Sequence, residues 1–428
     1  MSTIQNTDYF QVDSGGTQYK ISASDLRTGT KSYDYLAVNR SSTDYRLAKS
    51  SRYDVNYTDY LAVNRSGTDY KVSGEDYFNY MWQYSQIASI SASDGVSGDR
   101  FSYSASAGND KIIFGAPEQS SNSGAAYIYA SDGSNQIKIV ASDGVAGDSF
   151  GRSVSVGENK VVVGAYAADR AGTSNPAGAA YIYNLDGSGQ IKIVSSDLAD
   201  NDNFGINVAI GDGIIAVGAE ADDNAVGTNA GAIYIFNTSG TQLTKINGPT
   251  AGQIFGRGVS VGEGKILGIL VRRALLYNTD GSFDREITPP DTKSIFFGSY
   301  NAGANAIGEG RIVIGDPRVS LGGVSFTGQV FIFDLSGTVL ARIDLRDISG
   351  ETPAGADFFG ESVSVNNGRI IVGALAAVYI FDLNCNFLSK IVLPNPASPT
   401  ISTAISGGRI YIGNPSTSSN TGSAYIFN

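Results

Sequence analysis

Between Ser142 and Val194 apolar and polar residues alternate in short bursts: SVSV, the nearly all-apolar KVVVGA, then AAYIY and QIKIV. Each burst has strand length and is rich in β-branched or aromatic side chains. Gly157-Glu158-Asn159 and Asp186-Gly187 carry tight-turn chemistry, and a long polar loop separates the middle two bursts. Four successive strands joined this way predict one antiparallel meander.

The pattern recurs along the chain. Second-strand copies read KIIFGA, KVVVGA, IIAVGA, KILGIL, RIVIGD, RIIVGA and RIYIGN, and third-strand copies read AYIY, AYIY, IYIF, LLY, VFIF, VYIF and AYIF. Phe-Gly-type openings stand at Phe101 (followed by Ser), Phe150, Phe204, Phe255, Phe297 and Phe359, with a degenerate seventh near Ile401. Seven copies predict an all-β, seven-bladed β-propeller. Six copies end in a fourth strand (QIKI, QIKI, LTKI, DREI, LARI, LSKI), but the seventh stops at Phe427-Asn428. The matching strand stands at the other end, as Gln86–Ile90. The last blade is therefore expected to be shared between the two ends of the propeller, which resists opening because it buries a strand pair.

Residues 1–80 follow a different pattern. Tyr9, Tyr35 and Tyr60 open three copies (YFQVDSGGTQYKI, YLAVNRSSTDYRL, YLAVNRSGTDYKV), each with two alternating runs around a Ser/Gly/Asn-rich turn. These predict three small β-hairpins, each too small to stand alone in water, so they lean on each other or on a partner. The expected division is a hairpin module over 1–80 and a propeller over 81–428.

Composition removes several function classes. A net charge of -11 argues against binding nucleic acid through phosphates. With 0 His and 1 Cys, Ser-His-Asp catalysis, histidine metal sites, intrachain disulfides and cysteine zinc clusters are excluded. MSTIQNTDYF is polar, and the longest apolar run, Ile266 to Val271, is too short to span a bilayer, so a protein made in a cytoplasm without membrane insertion is expected. No catalytic constellation stands out. The expectation is a chain that is not an enzyme and carries no cofactor or metal.

The motif FGxSVSVGxxxVVVGA…GAAYIYxxDGS…SDGxxGDxFG resembles the FG-GAP repeat family, whose best-known members are integrin α-subunit propellers; the likeness covers about residues 84–428. In integrin-type repeats the turn between the first two strands often carries a DxDxDG calcium loop. Here those turns hold Glu158, Asp212 or Glu263, or no acid at all, and one carboxylate is too few for calcium. The hairpin copies resemble short DYLxVNRxGTDYKV repeats of structural proteins from tailed phages that infect cyanobacteria. That resemblance implies a virion protein present in many copies in a symmetric assembly, with residues 1–80 fastened to other virion proteins. The propeller would then present a face to a protein or a glycan of the host surface. An adhesion or glycan-recognition propeller is the alternative, and a carbohydrate-active enzyme the least favoured.

Candidate residues follow from where loops rise. Asp94/Asp99, Asp143/Asp148 and Asp197/Asp202 precede three Phe openings; they brace turns, or hold a cation at Asp197, Asp200 and Asp202. Loops between second and third strands share a face with the inter-blade loops and are long except at Arg272-Arg273 and Ala376-Ala377, which leaves two notches. Asp169, Arg170, Asp222, Asp223 and Arg318 are expected to project from the walls of that face as binding residues, with Tyr35 and Tyr60 as docking residues of the hairpin module. Cys385 stands where other blades place Gly in the outer turn and is expected to be exposed.

Overall fold

The computed structural model describes residues 84–169, 176–197, 199–290, 304–375, 377–393 and 401–428, together with six strands within residues 9–73. The chain divides into two units, 1–84 and 85–428.

The first unit is a set of three hairpins. Tyr9–Ser14 pairs with Thr17–Ser22, Tyr35–Arg40 with Thr43–Ala48, and Tyr60–Arg65 with Thr68–Ser73. The three leading strands also pair with one another in a cycle. Tyr35 lies opposite Asp13, Tyr60 opposite Asn39, and Tyr9 opposite Asn64. Each hairpin thus shares one end of its leading strand with the next, and the third returns to the first. This pairing supplies the support that one hairpin lacks in water.

The second unit is a seven-bladed β-propeller of seven four-stranded antiparallel sheets. Its inner strands are Ser104–Gly108, Ser153–Gly157, Phe204–Gly211, Val259–Gly262, Asn305–Gly308, Ser362–Asn366 and Ser402–Ser406. The apolar second and third strands are buried on both faces, which is why they lack alternation. The seventh blade closes as expected. Ala424, Tyr425 and Ile426 lie opposite Ile90, Ser89 and Ala88, so Gln86–Ile90 forms its outer strand.

Blades are joined by the Phe-Gly openings. Phe150 is fully buried, its ring 5.4 Å from Tyr181 and 6.2 Å from Tyr183. The backbone of Phe150 bridges Gly124 of the preceding blade, and Phe204, Phe255 and Phe359 bridge Gly178, Gly231 and Gly328 in the same way. Gly124 has φ 85 and a Cβ there would fall 2.0 Å from the Phe150 carbonyl oxygen, so no other residue fits the crossing. Phe297, an expected opening of the same kind, lies outside the described residues.

The inner strands are sheet edges, and their unpaired N–H groups would face the central channel bare. Serines of the preceding blade cap them. Ser106 accepts from the Val156 N–H at 3.1 Å, Ser153 from Val208 at 3.0 Å, and Ser155 from Ile210 at 3.1 Å. The SVSV alternation therefore has two uses: valines pack between blades, and serines close the channel wall. On the face that carries the first-to-second-strand turns, acids lace turn to turn. Asp212 accepts from the Gly264 N–H at 2.9 Å and Glu309 from Gly368 at 2.7 Å.

Candidate functional site

The acids of each inter-blade loop split into two jobs. The first of each pair joins a tyrosine and a lysine. Asp94 accepts from Tyr127 at 2.8 Å and Lys138 at 2.6 Å, and Asp143 from Tyr181 at 2.9 Å and Lys192 at 2.6 Å. Asp197 accepts from Tyr234 and Lys245, both at 2.7 Å. Blade six repeats the arrangement with Glu351, Tyr379 and Lys390. The second acid caps its own turn: Asp99, Asp148 and Asp202 accept the N–H of Val96, Val145 and Ala199 at 2.8–2.9 Å. Turn-bracing is thus what these pairs do. Of the three acids that the sequence offered to a cation, Asp197 is engaged by the Lys245 ammonium, and Asp202 caps its own turn. Among the described residues no group of three or more Asp, Glu or Cys is placed to hold a metal ion.

The two jobs set opposite charge behaviour. Burial alone would raise the Asp197 carboxyl, but hydrogen bonds from Lys245 and Tyr234 and the lysine charge outweigh it and hold it below the usual range. Asp202 has no such cation of its own. Burial, joined by the charges of Asp222 and Asp197, pushes it up to about 6 against the Ala199 N–H. Burial likewise raises Asp148, against hydrogen bonds from the backbone of Val145 and Asp169.

The expected binding residues do not all share one surface. Asp222 does not project. It is 2% exposed, accepts from Tyr234 at 2.6 Å, and pairs with Lys245 at 2.9 Å. The neighbouring Asp223 is exposed, but its carboxylate is taken by the Asn229 N–H at 2.8 Å, inside its own loop. Asp169 is half-buried, its backbone bridging Pro176. Arg318 is half-buried on the blade-five loop. Arg170 lies outside the described residues, as do the side chains of Tyr35 and Tyr60, whose backbones stand at the joints between hairpins. Cys385 is half-buried, not exposed; it adopts φ 68 in the turn, and burial raises its thiol. Arg273 pairs with Glu286 at 3.0 Å at the blade-four notch, while Arg272 is exposed at φ 70.

What sequence reasoning missed is the mouth of the channel. The inner strands enclose a cavity of about 370 Å³ lined by Ser104, Ser106, Ser155, Asn207 and Asn305, with Tyr103, Arg152 and Glu361 where the strands begin. Strands begin on the face that carries the long loops. The loop residues Glu118 and Glu220 reach this mouth, pairing with Arg100 at 2.9 Å and Arg257 at 3.0 Å. Two guanidinium groups lie against Tyr103, Arg100 at 4.8 Å and Arg152 at 4.6 Å from its ring centre. The signal was present in the sequence: Arg152 and Arg257 each follow a Phe-Gly pair. A neutral pocket of hydroxyls below a ring of arginines and glutamates can orient a charged or hydrogen-bonding group.

Comparison with known proteins places this geometry. Residues 84–129, 134–183 and 188–236 match the FG-GAP repeat model. These are FG-GAP repeats. No curated protein matches the chain. The frame of each FG-GAP repeat is instructive when laid on the blades. The first match opens with Gln86–Ile90, the outer strand of blade seven, and then takes three strands of blade one. The second opens with Ile137–Ile139, the outer strand of blade one. An FG-GAP repeat is thus offset by one strand from a blade, and this offset leaves one strand at the start of the propeller and three at its end, which together make the closing blade. The FG-GAP propeller points to a protein- or ligand-binding role.

Proposed function

We propose that this protein is a structural and interaction component of a virus particle. In this reading residues 1–80 fasten the chain to neighbouring virion proteins, and the propeller docks a partner through its loop-bearing face. The observation that carries the docking role is the uneven relief of that face on a stiff ring. Blade two spends residues 166–178 between its second and third strands and blade three residues 220–231, whereas blade four turns at once between Leu270 and Arg273. Blade six closes as tightly, between Gly373 and Ala377. Five high walls and two low notches make a shaped surface held by fully paired sheets, which suits recognition of a folded partner. The absence of histidine and the structural employment of the inter-blade acids agree with a role that needs no catalysis.

The virion assignment rests on the hairpin repeats of the first unit. The experiment is to purify intact particles, dissociate them gently and ask which fraction carries this chain, comparing full-length protein with protein lacking residues 1–80. Full-length chain should co-purify with particles and the shortened chain should not. A chain missing from particles, or one that stays bound without residues 1–80, overturns the assignment. Reproducible binding of residues 81–428 to a glycan array would instead favour host-surface recognition.

A further inference from the structure

Among the described arginines around the channel mouth, two have acidic partners and one does not. Arg100 has Glu118 at 2.9 Å and Arg257 has Glu220 at 3.0 Å. Arg152 has neither a hydrogen bond nor an ion pair among the described residues. It lies instead beside two aromatic rings, its guanidinium carbon 4.6 Å from the centre of the Tyr103 ring and 5.9 Å from that of Tyr166. Glu220, the acid whose charge acts on it, is committed to Arg257, and Arg100 and Arg257 add like charge. Burial works against its positive form. A half-buried guanidinium without an anionic partner has given up part of its hydration, a cost that an arriving anion offsets.

We propose that Arg152 is a receptor for a carboxylate side chain of a protein partner, inserted from the loop face into the mouth of the channel; this rests on the docking face proposed above. A guanidinium without an anionic partner offers its fork of N–H groups, whose geometry matches a carboxylate. With Arg100 at 4.8 Å and Arg152 at 4.6 Å from its centre, the Tyr103 ring is already engaged by two cations and offers little platform for a sugar, which favours an acidic amino-acid side chain. Below the mouth the capped serine edges form a wall that accepts hydrogen bonds but carries no charge of its own.

The test uses the full chain labelled with nitrogen-15 at arginine Nε, titrated with the capped tripeptide Gly-Glu-Gly, its Gly-Gln-Gly counterpart, and glucuronate. Arg152→Lys identifies the Arg152 resonance by its loss. Saturable movement of that resonance with the Glu peptide, absent with the Gln peptide and weakened by salt, is the expected result. Arg152→Gln should weaken Glu-peptide binding about tenfold or more, the loss expected for a hydrogen bond to a charged group. A still resonance, equal movement with the Gln peptide, or movement with glucuronate alone overturns the proposal. Neither probe requires the natural partner, so a silent Arg152 removes the acidic insert and leaves the docking face to its own test.

Discussion

Lys245 and Asp222 lie 2.9 Å apart within blade three, with the aspartate 2% and the lysine side chain 17% exposed. The equivalent lysine of blade two, Lys192, faces only Asp143 and is 35% exposed. Lys245→Met should therefore cost about 3 kcal/mol, because it strands a buried carboxylate, whereas Lys192→Met should cost about 1 kcal/mol or less. Thermal melting of the two variants side by side checks the order. Equal losses would mean that burial of Asp222 adds nothing to the lysine.

Asp202 predicts a pH effect of opposite sign to that of a salt-bridged acid. Its folded value of about 6 stands above the ordinary range, so the folded state holds the proton more tightly than the unfolded chain. Its contribution to stability is then fully present below about pH 4 and is lost as pH rises through 6. Asp202→Asn keeps an acceptor for Ala199 and cannot ionise. It should be more stable than the parent by about 1–2 kcal/mol at pH 8, with the advantage vanishing by about pH 4. Melting curves across that range decide the matter, and a constant offset would refute it.

Removing residues 1–80 should leave the melting transition of the propeller intact. Cutting on to residue 95 deletes Gln86–Ile90 and bares Ile426, which is fully buried, along with one edge of the last third strand. The loss should be several kcal/mol, visible as a large fall in melting temperature or as insolubility. Adding back a peptide spanning residues 84–96 should restore part of it.

Ser155→Ala should uncover the Ile210 N–H on the channel wall and cost about 1 kcal/mol, while Ser149→Ala, on an exposed loop, should cost nearly nothing. Amide exchange at Ile210 gives the direct readout.

Cys385 should react with a thiol reagent several-fold more slowly than a small free thiol at neutral pH, since burial raises its thiol and depletes the thiolate. Unfolding should abolish the difference.

The architecture could be read from the chain because each blade repeats the same local signals, so an error in one copy is corrected by six others. The paired acids were legible as turn residues for the same reason. Their division of labour was not, because it depends on Tyr234 and Lys245 arriving from strands far along the chain. Asp222 and Asp223 show the limit: adjacent acids in one loop look equivalent, yet one is drawn inward by that tyrosine and lysine while the other stays in water. Arg152 escaped notice because an arginine after Phe-Gly has no meaning until seven strand starts converge on one opening. The pairing of the three hairpins in a cycle was equally hidden, since only two residue pairs carry each joint.

The one-strand offset between repeat and blade has a consequence for how such a ring can change. Every unit of sequence brings the lath its predecessor lacks and leaves a vacancy for its successor. A whole unit duplicated or lost between Ser85 and Asn428 would widen or narrow the wheel without disturbing the clasp. By the same logic the chain could be reopened at any other boundary and its present ends spliced, and each such permuted form would fasten itself by the same means.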